Sequence, residues 1–282
     1  MTKTDYSTNG IISSETRAAL VIAHPGHELS IYGWLKSARP LVFILTDGSG
    51  HSGNARIERT TRIIKEVGAR TGSFYGRYSD AALYEALLNH RFDLFARLAD
   101  ELAAQIINGM IECVVGDARD GYNPAHDVCR LVVDTAVEIA VRATGRKIDN
   151  LQFRVASQPD ALLQTSLAES VCLHLDQAML DQKLAAARNY PELKSEVDAF
   201  LNTHSVESLR TEYLYRAGRD NGEHTAGEVV AYYEQHGEER VEQGYYSEVI
   251  RYREHILPLA IALRRNLEEM GDEQIACSDY DL

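Results

Sequence analysis

The sequence has few cationic side chains for its length and contains no long apolar segment. Among its 282 residues, 29 are Lys or Arg and 42 are Asp or Glu, and the net charge at pH 7 is −13. Nucleic acids and anionic membranes are bound through Lys and Arg, so this balance argues against general affinity for either. No stretch approaches the roughly 18 uninterrupted apolar residues that a membrane-spanning helix requires. We therefore expect no nucleic-acid partner and no membrane span.

Cysteine is also scarce, and its spacing matches no metal or redox motif. The four cysteines include no CxxC pair, and Cys113, Cys129 and Cys172 lie in apolar runs. A free thiol in such a run packs as a small hydrophobe, which favours buried, reduced thiols in a reducing compartment. Residues 1–17 are polar and lack the apolar segment of a signal peptide. A cytoplasmic protein is the expectation.

The apolar residues that are present form short runs separated by helical patterns. Residues 18–23, 41–45 and 111–115 are continuous apolar runs, which is how strands buried on both faces of a parallel sheet read. Stretches with helical spacing alternate with them, at residues 29–37, 56–67, 83–107 and 128–141. This alternation predicts an α/β fold with a Rossmann-like, mostly parallel sheet flanked by helices.

The strand signal continues at residues 151–156 and 170–175 and vanishes beyond about residue 176. The remaining segments read as helices joined by a polar, tyrosine-rich stretch. We therefore expect an N-terminal arm over 1–17, an α/β domain over 18–190 and a helical C-terminal extension over 191–282. The tyrosines would serve in packing or in a dimer surface, and a homo-oligomer is compatible with that interpretation.

Histidines occur where predicted strands end, which is where open α/β sheets bind ligands. His24 and His27 follow the first strand with a Pro-Gly turn between them, and His126 follows a later strand. Neutral imidazole is the commonest metal ligand, and three protein ligands with an open fourth position are the pattern of catalytic zinc. Two histidines three residues apart are by themselves more often surface or core residues. Their position after a buried strand leaves two interpretations open, a divalent metal site with zinc as the expected ion and an ordinary surface or core role.

The same segments resemble the motifs of the LmbE-like family, which includes PIG-L-type de-N-acetylases of N-acetylglucosaminyl-phosphatidylinositol and the deacetylase of mycothiol synthesis. That family carries AHPDDE after its first strand, a TDG loop after the second and an HPDH-like motif after a later strand. Here residues 23–28 read AHPGHE, 45–48 read LTDG and 123–126 read NPAH. The resemblance covers about residues 18–190. It implies an LmbE-like fold, bound zinc and hydrolysis of an N-acyl group on a sugar.

The sequence departs from the family motifs at functional positions. The family's three zinc ligands fall on His24, His27 and His126, so His₃ replaces His₂Asp; the loss of a negative ligand leaves the ion more electrophilic. The family's proposed general base falls on Gly26, which cannot accept a proton. Its other catalytic histidine falls on Asn123, whose amide donates a hydrogen bond but cannot shuttle a proton.

Two functions remain open on this basis. In the first, the protein is a metal-dependent hydrolase that de-N-acetylates a small N-acylated sugar or a related amide. Asp47 would be the substitute base, with Glu28 and His51 as further candidates, and Asn123 would donate to the developing oxyanion. In the second, the protein binds metal or a sugar-like ligand without hydrolysing it, an interpretation that Gly26 and Asn123 favour.

Other residues have less specific signals. Arg56 and Asp80 match family positions that contact the substrate sugar, and an exposed charge is the alternative for each. Asp47 is equally typical of a turn, and Glu28 is more typical of loop support than of catalysis. A nucleotide-binding module is the weakest interpretation, because no GxGxxG follows the first strand.

Overall fold

The computed structural model describes residues 13–50, 53–155, 170–218 and 230–278. Seven strands and nine α-helices lie in these ranges. The strands are β1 (Ala18–Ile22), β2 (Leu41–Thr46), β3 (Arg70–Tyr78), β4 (Cys113–Asp117), β5 (Asp149–Phe153), β6 (Ser170–His174) and β7 (Thr211–Arg216). The helices are α1 (Tyr32–Ala38), α2 (Ile57–Glu66), α3 (Asp80–Leu88), α4 (Phe92–Asn108), α5 (Pro124–Thr144), α6 (Gln177–Arg188), α7 (Lys194–Thr203), α8 (Tyr232–Glu242) and α9 (Leu257–Ser278).

All seven strands form one sheet in the order β3-β2-β1-β4-β5-β7-β6. Neighbouring strands from β3 to β5 are parallel, and β7 lies antiparallel to both β5 and β6. The predicted mostly parallel α/β fold is confirmed. Strand order reverses between β1 and β4, and the crevice beyond the carboxyl ends of such strands is where ligands bind in this architecture.

The central strands are buried on both faces, as their continuous apolar sequences require. Every residue of β1 and of β4 is buried. Alternate residues of β1 point to opposite faces, so that Val21 packs with one layer of helices and Ile22 with the other. Helices α3, α4, α5 and α9 cover the first face, and α1, α2 and α6 cover the second. Within the described ranges, no helix is both long and apolar enough to cross a bilayer.

Two strands lie where the sequence pattern predicts none. Strand β3 is an edge strand with only one buried residue, Phe74, so it has no apolar run to reveal it.

The predicted helix over 83–107 is two helices, α3 and α4, separated at His90, whose φ of 51° is not helical. Burial also differs from expectation at Cys172, which is exposed on β6, whereas Cys113 and Cys129 are buried.

Strand β7 is the second strand that the sequence pattern does not predict, and it joins the C-terminal segment to the sheet. Its buried positions are Glu212 and Leu214, and a charged residue at a core position conceals the strand in the sequence. The Glu212 carboxylate accepts hydrogen bonds from the backbone N–H groups of Gly33 and Trp34 and from Lys183 Nζ. Residues beyond the predicted boundary at 190 thus hold the start of α1, close to the first histidine motif.

Candidate metal site

Three histidines meet beyond the carboxyl ends of β1 and β4. The centroids of the His24 and His27 rings are 5.2 Å apart, those of His24 and His126 are 5.8 Å apart, and those of His27 and His126 are 4.8 Å apart. The ring planes cross at 63° to 90°. The fold therefore brings together the three imidazoles that the sequence predicts as ligands, from segments about a hundred residues apart.

The turn between His24 and His27 depends on a glycine and on a buried glutamate. Gly26 has a φ of 105°, which side chains rarely tolerate. Its N–H donates to Glu28 Oε2 at 2.8 Å and lies 3.1 Å from Thr60 Oγ1, which itself donates to Glu28 Oε1 at 2.7 Å. Glu28 is fully buried, and burial raises its pKa to about 7 despite the Thr60 hydrogen bond. Its contacts are those of a loop support.

His126 is placed by the first turn of α5. Asn123 caps this helix with Oδ1, which accepts from the Ala125 N–H at 2.8 Å, and Pro124 occupies the first turn. Tyr84 Oη donates to the same oxygen at 3.1 Å. These two bonds fix the orientation of the Asn123 amide, because its oxygen must face both donors. The Nδ2 group of Asn123 is left as the donor of the amide.

Each of the three imidazoles has a carboxylate oxygen close to its Nδ1, which is a hydrogen bond for His27 and His126 and an ion-pair distance for His24. The pairs are His24 with Asp80 Oδ1 at 3.0 Å, His27 with Asp117 Oδ2 at 2.8 Å, and His126 with Asp120 Oδ2 at 2.9 Å. Carboxylates in these positions are the usual partners of metal-ligating histidines, because they fix the tautomer and orient the ring. Sequence reasoning missed Asp117 and Asp120; the available signal was that Asp117 ends β4 and Asp120 follows it, at the same edge of the sheet.

The hydrogen bonds around His24 indicate which of its ring nitrogens carries the proton. Thr46 Oγ1 donates its only proton to Ala23 O at 3.0 Å and lies 2.8 Å from His24 Nδ1. Nδ1 must therefore carry a proton, and the neutral ring has its lone pair on Nε2. His24 Nε2 is buried and has no hydrogen-bond partner within the described residues. A buried acceptor of this kind is a suitable metal ligand.

The donor set fits a divalent ion in its chemistry and in the spacing of its rings. Three nitrogens at about 2.0 Å from one tetrahedral zinc ion would place the ring centroids roughly 5 Å apart, which is near the observed separations. No three His, Cys, Asp or Glu side chains of the described ranges have their donor atoms already arranged to hold an ion. Binding would therefore require the rings to rotate or draw together.

Charge in this site is unevenly distributed. Burial lowers the pKa of His27 to about 4, outweighing the attraction of Asp117. For His126, burial also acts to lower the pKa, but the hydrogen bond and charge of Asp120 outweigh it and the pKa is raised. The pKa of Asp117 is lowered, because its charge interaction and hydrogen bond with His27 outweigh its burial. The site thus combines negative charge with two imidazoles whose pKa values are shifted in opposite directions.

The remaining predicted residues line the loop after β2. Asp47 Oδ1 accepts from the Ser49 N–H at 2.9 Å, and Arg56 Nε donates to Gly48 O at 2.6 Å. Asp80 uses its second oxygen to accept from the Gly50 N–H at 2.6 Å. Within the described part of the chain, the Asp47 carboxylate makes no hydrogen bond to the three imidazoles. His51 lies outside the described residues, and the roles of Asp47, Arg56, Asp80 and Asn123 stay predictions.

A residue of the C-terminal segment lies against the histidine turn. A Cβ atom placed on Gly26 would be 2.5 Å from Cδ1 of Leu193. Leu193 ends a short 3₁₀ turn (Pro191–Leu193) that follows Tyr190, whose hydroxyl contacts Thr60 at 3.1 Å. An aliphatic group therefore fills the space beside the position at which the related motif has an aspartate.

Solved structures that resemble this chain are deacetylases. A triple mutant of a deacetylase from the teicoplanin biosynthetic pathway is 16% identical with a TM-score of 0.50, covering 73% of this chain and 99% of that one. A deacetylase of the A40926 pseudoaglycone is 20% identical with a TM-score of 0.47, covering 71% and 96%. The zinc-inhibited form of teicoplanin deacetylase is 15% identical with a TM-score of 0.46, covering 73% and 100%.

The first of these likenesses shows that the chain shares the fold of a deacetylase. No family profile matches the sequence, and no curated protein matches it either. The reaction must therefore be argued from the side chains of the site.

Proposed function

We propose that this protein is a metal-dependent hydrolase that de-N-acetylates a small N-acylated sugar or a related amide. The observation that carries the proposal is the convergence of three imidazoles, each with a carboxylate oxygen within 3.0 Å of its Nδ1. The fold shared with a deacetylase of teicoplanin biosynthesis supports this class of reaction.

His24, His27 and His126 would hold zinc or another divalent ion. When bound, such an ion polarises an acyl oxygen and makes a nearby water more acidic. Three carboxylates around three imidazoles also favour a cation, since buried negative charge is stable only when it is balanced. Asp117 is completely buried and Asp80 nearly so, so the charges face little solvent that could screen them.

Asn123 would stabilise the charge that develops on the acyl oxygen. Its Oδ1 is held by the Ala125 N–H and by the Tyr84 hydroxyl, so Nδ2 is the atom available to donate. The amino end of α5 adds a favourable electrostatic field for an anion. A fixed donor of this kind acts without reorganisation during the reaction.

Asp47 is the proposed proton acceptor. One of its oxygens is used by the Ser49 N–H, and the side chain stands partly exposed in the loop after β2. Substituting Asn would keep the shape of the turn while removing the proton acceptor. We expect Asp47→Asn to abolish hydrolysis without changing the bound metal.

The decisive experiment compares zinc-loaded and metal-free protein on a panel of N-acetylglucosamine derivatives. Hydrolysis should depend on the metal and should disappear in His126→Ala together with most of the bound zinc. His174→Ala is the matched control, because His174 is exposed on β6 and its loss should change neither. If zinc-loaded protein hydrolyses no compound of the panel faster than metal-free protein does, the proposed hydrolase activity is contradicted.

Non-hydrolytic binding of a metal or a sugar-like ligand is the second candidate, and one contact favours it. Leu193 fills the space beside Gly26, where the related motif carries its base. Under this alternative, calorimetry would detect ligand binding without product, and Asp47→Asn would alter affinity only modestly.

A further inference from the structure

Asp117 is the last residue of β4, and its side chain is completely buried. Oδ2 accepts two hydrogen bonds, one from the Ala23 N–H at 2.7 Å and one from His27 Nδ1 at 2.8 Å. Oδ1 has no hydrogen-bond partner in the described ranges. A buried carboxylate with an unpaired oxygen costs folding free energy. Its presence therefore calls for a role beyond stability.

The three imidazoles differ in how many groups orient them. His24 has Thr46 as a second partner at Nδ1. His126 belongs to a long helix, and its backbone N–H donates to Asn123 O at 3.0 Å. His27 follows a glycine with positive φ and opens a 3₁₀ turn of five residues. The Asp117 carboxylate is the group that orients its ring among the described residues.

We propose that Asp117 is a positioning residue that holds His27 in the tautomer with the proton on Nδ1. The lone pair on Nε2 then faces the rings of His24 and His126. Because the same oxygen accepts from the Ala23 N–H, the carboxylate also ties the imidazole to the end of β1. The part of this inference that concerns metal affinity rests on the proposed function, whereas the tautomer does not.

The test combines histidine NMR of the metal-free protein with zinc titration against a competing chelator. In the wild type, ¹⁵N shifts should show His27 protonated at Nδ1 and unprotonated at Nε2. In Asp117→Asn, both tautomers should be populated, because a neutral amide oxygen that still faces the Ala23 N–H accepts from His27 Nδ1 more weakly than a carboxylate does. Loss of a carboxylate behind a ligating histidine typically lowers metal affinity by about 10–100-fold, and we expect a loss in that range.

Asp127→Asn is the matched control. Asp127 is nearly as buried as Asp117, but it accepts from the Gly121 N–H and the Tyr233 hydroxyl and forms no hydrogen bond to an imidazole within the described ranges. This variant should reproduce the stability cost of replacing a buried Asp by Asn while leaving the His27 tautomer unchanged and the zinc affinity within about twofold.

Each outcome decides the inference. A wild-type His27 protonated at Nε2 overturns it without any variant, which matters if Asp117→Asn fails to fold. An Asp117→Asn protein with wild-type tautomer and zinc affinity also overturns it. If the wild type binds no zinc but shows the expected tautomer, which Asp117→Asn disturbs, the positioning role stands and the metal-dependent function fails.

Discussion

Glu28 is a carboxylate that the fold encloses completely, and its ionisation couples to stability. Its pKa is raised to about 7 from an ordinary 4.5, so between these values the folded state holds a proton that the unfolded state has released. The free energy of unfolding therefore falls as pH rises from about 4.5 to about 7 and levels off above. Both oxygens of this side chain accept hydrogen bonds that shape the histidine turn.

Removing this titration should change the pH dependence of stability in a defined direction. Glu28→Gln cannot ionise, so its stability relative to the wild type should improve from pH 5 to pH 8 by about 2–3 kcal/mol. Urea unfolding of both proteins at the two pH values, with a chelator present, measures this difference. A constant difference would mean that Glu28 is already ionised in the fold at pH 5.

At the same scale, the candidate site was only partly predictable. The three histidines were predictable because they stand in motifs at the ends of buried strands. Asp117 and Asp120 were not, because a carboxylate at the end of β4 and one in the loop after it follow no periodicity. Which histidine they meet depends on β1 and β4 being neighbours, and no local pattern encodes that pairing.

At the scale of elements, the contact between the Pro191–Leu193 turn and the loop after β1 limits what can be engineered at the site. Gly26→Asp alone should lose stability, because its φ of 105° and the Leu193 methyl group both oppose a side chain. A left-handed residue with a Cβ costs roughly 1–2 kcal/mol before the clash is counted. Leu193→Ala should offset the steric part in the double variant.

A double-mutant cycle by thermal unfolding measures this coupling, independently of any activity. Turnover of an N-acetylglucosamine derivative should rise only in the double variant, because only there is the space beside residue 26 free for the new aspartate side chain. Additive stability changes in the cycle would show that Leu193 and residue 26 do not interact.

The Lys183–Glu212 pair connects α6, β7 and the start of α1, and removing one partner should lower the free energy of unfolding. Both side chains are almost fully buried, with 2.8 Å between Lys183 Nζ and Glu212 Oε1. Lys183→Met leaves a buried carboxylate without its cation, which should cost about 3–5 kcal/mol. Lys194→Met breaks the exposed pair with Asp198 and should cost less than about 0.5 kcal/mol. Equal effects in urea unfolding would contradict the buried role.

Strands could be predicted from the sequence where both of their faces are buried, because only then is the apolar run uninterrupted. Strands β1, β2 and β4 read clearly because both of their faces are covered by helices. Strand β3 is a mostly exposed edge, and β7 carries Glu212 at a core position, so neither shows an apolar run. The break at His90 depends on a backbone conformation that the helical spacing on either side conceals.

At the scale of the whole molecule, metal binding should appear as stability. A ligand that binds only the folded state at a free concentration 100 times its Kd adds about 2.7 kcal/mol. Zinc should therefore raise the Tm of the wild type by several degrees and leave that of His126→Ala unchanged. Magnesium should have little effect, because it prefers oxygen ligands. An unchanged wild-type Tm at saturating zinc would contradict the site.

The position of β7 has a consequence for how the chain is made. Among the strands that the structure describes, β6 pairs with β7 alone, and β7 lies between it and β5. During synthesis β6 therefore leaves the ribosome with its neighbour in the sheet still unmade, and β5 presents an open edge until residue 216 has emerged. A nascent chain that stops at residue 190 would expose the edges of β5 and β6 that β7 otherwise covers, and such edges are templates for pairing with other chains. The interval between these two strands is thus the period in which the newborn protein is most open to aggregation and to capture by chaperones.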